Sequence, residues 1–189
     1  VAANRDALLA EYVELLRIPN IASNRADIRR NADHNMAMMA RRGLSPRLLE
    51  SEDGDAPPLI YGEWMVPGAA RTYVLYAHYD GQPVTAADWT VTPPFEPRQV
   101  GDGDEARIYA RSASDDKAGV MAILAAVDAL RAAGRTPAFN LKIVFEGEEE
   151  AGAFHGSGRG VGARGRRGRG AARRAPGVAG RDGAPFTPR

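Results

Sequence analysis

The feature that most constrains this chain is the unbroken apolar run Tyr73, Val74, Leu75, Tyr76 and Ala77, which ends on His78. A short run of this kind, with no period of 3.6, reads as a strand, and its lack of alternation predicts a central strand covered on both faces. Similar runs at 46–50, 59–64 and 139–145, and a shorter one at 107–111, read as further strands.

Between the strands the period changes. Residues 7–18 place Leu8, Leu9, Tyr12, Val13, Leu15 and Leu16 on one helical stripe that Pro19 stops. Residues 27–42 repeat the pattern with Ile28, Met36, Met38 and Met39 before Gly43, and the methionines read as a core face. Residues 116–133 carry Val120, Ile123, Leu124, Val127 and Leu130, followed by Gly134. Helices interleaved with strands predict an α/β fold, a mostly parallel sheet flanked by helices. At 189 residues, one ordinary domain is expected.

Composition narrows the chemistry. With 25 basic and 24 acidic side chains, total charge points to no nucleic acid, membrane or acidic partner. There is no cysteine, so any metal must be held by histidine and carboxylates, and a reducing compartment is expected. No stretch approaches the roughly 20 apolar residues of a membrane span, and no signal-peptide pattern opens the chain; a cytoplasmic location is expected. The start at Val1 suggests a processed or trimmed terminus.

Residues 1–155 are expected to form the folded domain. From about Gly156 the sequence turns to Gly, Arg, Ala and Pro, with Asp182 as its only acid, and 156–189 are expected to be a disordered tail. Lysine occurs only at Lys117 and Lys142 while arginine is abundant, the signature of a GC-rich gene, so the tail reads as the product of a shifted reading frame or a gene fragment. The rival explanation, a basic tail that binds nucleic acid, is weakened by the lack of interleaved aromatics.

Three polar clusters follow predicted strands, where open α/β sheets place their ligands: His78-Tyr79-Asp80, Ser114-Asp115-Asp116-Lys117, and Glu146-Gly147-Glu148-Glu149-Glu150. Taken singly, each has an ordinary structural explanation: a hydrogen-bonded histidine, acids capping the next helix, a solvated run of glutamates. Together they supply one imidazole and several carboxylates, the donor mixture of a thiol-free divalent metal site. A carboxylate can bridge two ions, a nearby glutamate can take a proton from water, and Asp80, on the same side of an extended segment as His78, can orient its ring.

The segments His-Tyr-Asp-Gly-Gln-Pro-Val at 78–84, Asp-Trp-Thr at 88–90, Pro-Pro-Phe-Glu-Pro at 93–97, Ala-Ser-Asp-Asp-Lys at 113–117 and Glu-Gly-Glu-Glu-Glu-Ala-Gly at 146–152 resemble the carnosinase-like dipeptidase branch of the aminoacylase and carboxypeptidase G family. The resemblance covers 7–153. It implies a zinc metallopeptidase of dipeptidase or aminoacylase type with two divalent ions, zinc first and manganese or cobalt as alternatives. His78 would bind one ion, Asp115 would bridge both, Glu150 would bind the second, Glu149 would be the general base, and Asp80 would clamp the His78 ring. It also implies a cis peptide bond between Asp115 and Asp116 and a dipeptide or N-acyl amino acid substrate.

Members of that family add a later acidic ligand, an inserted domain through which they form homodimers, and a distal histidine. None of these is visible here. His155, the last histidine, lies too close to Glu150 to serve as that ligand, and His34 reads as a surface residue. The chain is therefore expected to be inactive or nearly so. The alternative is a non-catalytic metal-binding or interaction protein that keeps the fold.

Overall fold

A computed structural model of the protein describes residues 4–51 and 56–152. The expectations for 156–189 and for His155 lie outside the described residues. Helices α1 (Arg5–Arg17), α2 (Arg25–Arg41) and α3 (Lys117–Ala132) accompany strands β1 (Arg47–Leu49), β2 (Leu59–Trp64), β3 (Thr72–His78), β4 (Arg98–Val100), β5 (Arg107–Tyr109) and β6 (Asn140–Glu146). The main sheet has the order β1-β2-β6-β3, and β4 pairs with β5 in a separate hairpin. No described helix is long and apolar enough to cross a membrane.

The α/β architecture is the expected one, with two differences. Only β3 and β6 run parallel, joined by the crossover through α3; β1 with β2 and β2 with β6 are antiparallel, so the described sheet is mixed. A purely parallel order would need a helical crossover before every strand, and the segment between β1 and β2 is too short for one. Among the described residues the helices pack on one face of this sheet. Ile60, Leu141, Ile143, Phe145 and Ala77 share that face by register and join Leu15, Ile28, Met38, Met39, Val120 and Leu124 in one buried cluster.

Strand β3 accordingly differs from the covered central strand predicted for it. Among the described residues it is an edge strand, with Val74 61% and Tyr76 50% exposed. Its apolar run reports a strand correctly, but apolar composition cannot distinguish a centre from an edge. Met38 and Met39 are buried core residues as expected, and a Cβ on Gly62 would sit 2.9 Å from the Met39 methyl, so α2 packs directly on β2. His34 departs from its surface reading: it is half-buried on α2, and burial pushes its pKa below the ordinary value.

Charge ties the helices to one another. Arg42, buried at the end of α2, reaches Glu11 of α1 at 2.5 Å and Asp128 of α3 at 2.7 Å. Removing either partner would leave part of a buried guanidinium charge uncompensated. Lys117, fully buried at the start of α3, instead donates from Nζ to the carbonyls of Leu15 and Ile18, both at 2.8 Å. It thereby anchors the end of α1 to the start of α3.

Burial pulls the Lys117 pKa down to about 7, against a small opposing effect of Asp27. Between that value and the ordinary 10.5 the unfolded chain holds a proton that the folded chain does not, so this group makes stability rise with pH across that window. His78, raised to about 9, acts in the opposite sense below that pH, so the Lys117 effect must be read as a difference between variants. The unfolding free energy of wild type relative to Lys117→Met should increase by about 1 kcal/mol per pH unit from pH 7 to pH 10 in urea titrations. A difference that does not change with pH would contradict this.

Candidate metal centre

The parallel register that sets His78 opposite Glu146 brings the ends of β3 and β6 to one edge of the sheet. The Tyr79 N–H donates to the Glu146 carbonyl at 2.7 Å and carries the pairing one residue further. Three segments meet there: 79–82 after β3, 147–150 after β6, and the turn 112–116 before α3.

The segment after α1 holds two of these together. Asn20, fully buried, donates from Nδ2 to the Tyr79 carbonyl at 2.8 Å and to Ser112 Oγ at 2.9 Å. The Ala22 N–H donates to the Gly81 carbonyl at 3.0 Å. Gly81 packs closely against this pair: a Cβ there would lie 2.5 Å from Ser112 Oγ and 3.1 Å from Asn20 Nδ2, so these side chains would have to move to admit one. From α1, the Tyr12 hydroxyl donates to the Ala113 carbonyl; burial and the charge of Asp116 push its pKa up to about 12.

Asp116 joins β3 to α3. One oxygen accepts the Gly119 N–H at 3.1 Å as the helix N-cap, and the other accepts the His78 N–H at 3.2 Å. The capping role weighed for both aspartates thus falls to Asp116. Asp115 is exposed and directs Oδ1 to within 3.0 Å of His78 Nε2, and the peptide bond between the two aspartates is cis.

The His78 ring is buried between two carboxylates, with Nδ1 3.2 Å from Asp80 Oδ1 and Nε2 facing Asp115. Glu149 Oε2 lies 3.8 Å from the same Nε2. Burial opposes a charge on the ring, but the hydrogen bond and charge of Asp80, then Asp115 and Glu149, outweigh it and raise the pKa to about 9. Asp80 is fully buried, and its second oxygen accepts the Glu150 N–H at 2.9 Å. His78, Asp115 and Glu150 each offer a ligand atom, and these atoms lie within 4.8 Å of one another.

The glutamate run is not a uniform solvated face: Glu148 is buried, Glu149 exposed and Glu150 half-buried. Glu146 is buried as well, accepting the Tyr76 hydroxyl at 2.6 Å. Two residues to which the sequence assigned nothing belong to the site's surroundings. Asn20 carries no sequence signal, because its partners are 59 and 92 residues away. Gln82 lies inside the 78–84 segment, and its amide donates to Glu150 Oε2 at 2.6 Å.

Comparison with known proteins follows the same elements. Cys-Gly metallodipeptidase dug1 of Schizosaccharomyces pombe is 29% identical over 116 residues, 61% of this chain and 24% of its own length. Beta-Ala-His dipeptidase of Homo sapiens is 32% identical over 117 residues, 61% of this chain and 22% of its own. The chain thus spans less than a quarter of the curated relatives it matches. The solved structure of the di-peptidase Dug1p from Saccharomyces cerevisiae superposes with a TM-score of 0.72 at 23% identity, over 81% of this chain and 34% of that one, a likeness of fold. The profile of peptidase family M20/M25/M40 matches residues 74–179, running on into the Arg- and Gly-rich segment. Because that match takes in β3, the turn before α3, and β6 with the loop after it, the segments that bring His78, Asp115 and Glu150 together, the chain belongs to peptidase family M20/M25/M40.

Proposed function

We propose that this chain carries part of a metal-dependent hydrolase site that cleaves the amide bond of dipeptides or N-acyl amino acids. The observation that carries the reading is the convergence of His78, Asp115 and Glu150 from three segments onto one spot, their ligand atoms within 4.8 Å. One imidazole and two carboxylates are donors that suit zinc, with manganese or cobalt as substitutes. The fit extends to the ring: Asp80 on Nδ1 leaves Nε2 turned toward Asp115 and Glu149, as in carboxylate–histidine–metal arrangements. The relatives, a Cys-Gly metallodipeptidase and a Beta-Ala-His dipeptidase, favour small dipeptides as substrates.

Each residue then has a defined task. His78, Asp115 and Glu150 would hold divalent ions, with Asp115 exposed enough to offer oxygens to two. The chemistry such ions supply when bound is polarisation of a carbonyl and acidification of a water. Glu149 sits beside the cluster with its side chain 47% exposed, placed to take the proton of an attacking water and return it to the leaving amine. Asp80 keeps the ring and the Glu150 backbone in register. The lack of cysteine suits a reducing setting, and we place the protein in the cytoplasm.

Three described donors are few for two ions, so the chain alone should turn over dipeptides far below about 1 per second, even with added zinc, manganese or cobalt. Rates in the ordinary enzyme range would contradict that expectation. Whatever hydrolysis is detected should vanish in Glu149→Gln while bound metal, counted by elemental analysis, stays the same; retained turnover would remove Glu149 from the chemistry. Asp80→Asn should weaken zinc binding about 10- to 100-fold in calorimetry, and wild-type affinity in that variant would show that the His78 ring needs no carboxylate behind it.

A further inference from the structure

Gln82 makes one of the shorter side-chain contacts at the site. Its Nε2 donates to Glu150 Oε2 at 2.6 Å, across 68 residues of sequence. Glu150 is also held through its backbone, where its N–H donates to Asp80 at 2.9 Å. The loop after β3 therefore grips the same glutamate twice, once at the main chain and once at the carboxylate. We infer that Gln82 is a positioning residue for Glu150: its amide fixes the carboxylate in the orientation that the metal cluster requires. This inference rests on the metal-site reading proposed above.

The loop that carries Gln82 is built to be firm. Gly81 is wedged against Ser112 and Asn20, and its carbonyl accepts the Ala22 N–H. On the other side, Arg111 donates to the Pro83 carbonyl at 3.2 Å while its guanidinium lies 5.2 Å from the centre of the Trp89 ring. A side chain rooted in a braced backbone loses little further freedom when it bonds, so its partner inherits the order. Glutamine also suits the task chemically. It donates two N–H groups and carries no charge, so it can hold a carboxylate without cancelling the negative charge that attracts a cation. A lysine there would compete with the ion, and an acid would repel Glu150. One amide on Oε2 leaves lone pairs on both carboxylate oxygens for an ion.

The test uses the 189-residue chain and zinc itself. Gln82→Met keeps the length of the side chain and removes its donors; Gln99→Met, at another exposed glutamine on β4, is the control. Zinc affinity is measured by calorimetry, the cobalt-substituted protein by visible absorption, and the metal-free proteins by thermal melting. Gln82→Met should bind zinc about ten-fold more weakly than wild type and change the cobalt bands, with the melting temperature of the metal-free protein unmoved and Gln99→Met matching wild type throughout. If Gln82→Met binds zinc as wild type does, with the same cobalt spectrum, the positioning role is overturned while the metal centre stands. If its affinity falls only in step with a lowered melting temperature, the role is structural and the inference is equally overturned. If wild type binds neither metal, the metal-site reading fails and this inference with it.

Discussion

The candidate site depends on one buried carboxylate. Asp80 has no exposure to solvent, a costly place for a charge unless its oxygens are satisfied. One oxygen meets His78 Nδ1 and the other accepts the Glu150 N–H. The same group thus orients a ring at the end of β3 and fixes the backbone of the loop after β6, linking the two beyond their sheet pairing. Desolvation makes both bonds stronger than they would be in water, and makes either costly to lose.

Around Asp80 the fold supplies braces in which stability and site geometry are one matter. Lys117 fastens α3 to the end of α1 through two carbonyls, Asn20 staples the Tyr79 and Ser112 segments, and Asp116 caps α3 while holding the His78 N–H. Lys117 and Asp116 lie within two residues of Asp115 and reach other elements, and Asn20 ties the residue after His78 to the turn before Asp115. Burial disfavours the charged form of this lysine, and its two carbonyl acceptors fix its Nζ between the end of α1 and the start of α3.

Much of this was legible in the sequence, and what was not has identifiable causes. The three helices and the strands at 59–64, 72–78 and 140–146 followed from apolar period and from the stops at Pro19, Gly43 and Gly134, with ends displaced by one or two residues. Helix α2 starts at Arg25, two residues before its apolar period begins, because Asn24 caps it by accepting the Asp27 N–H. Sheet order and the exposed edge at Val74 and Tyr76 are settled by pairing between distant segments, which an apolar run does not encode. The polar residues that gather at the site were visible as clusters after strands. Their division of labour was less so: Asp115 and Asp116 are neighbours with opposite tasks, and Asn20 and Gln82 act across tens of residues.

The central claim is that His78 is the imidazole of a carboxylate-rich metal site, and X-ray absorption at the zinc edge addresses it most directly. The zinc-loaded protein should show only nitrogen and oxygen neighbours at about 2.0–2.2 Å, with an imidazole scattering signal that disappears in His78→Ala and survives in His34→Ala. An imidazole signal that persists in His78→Ala would place the ion elsewhere and contradict the site built here.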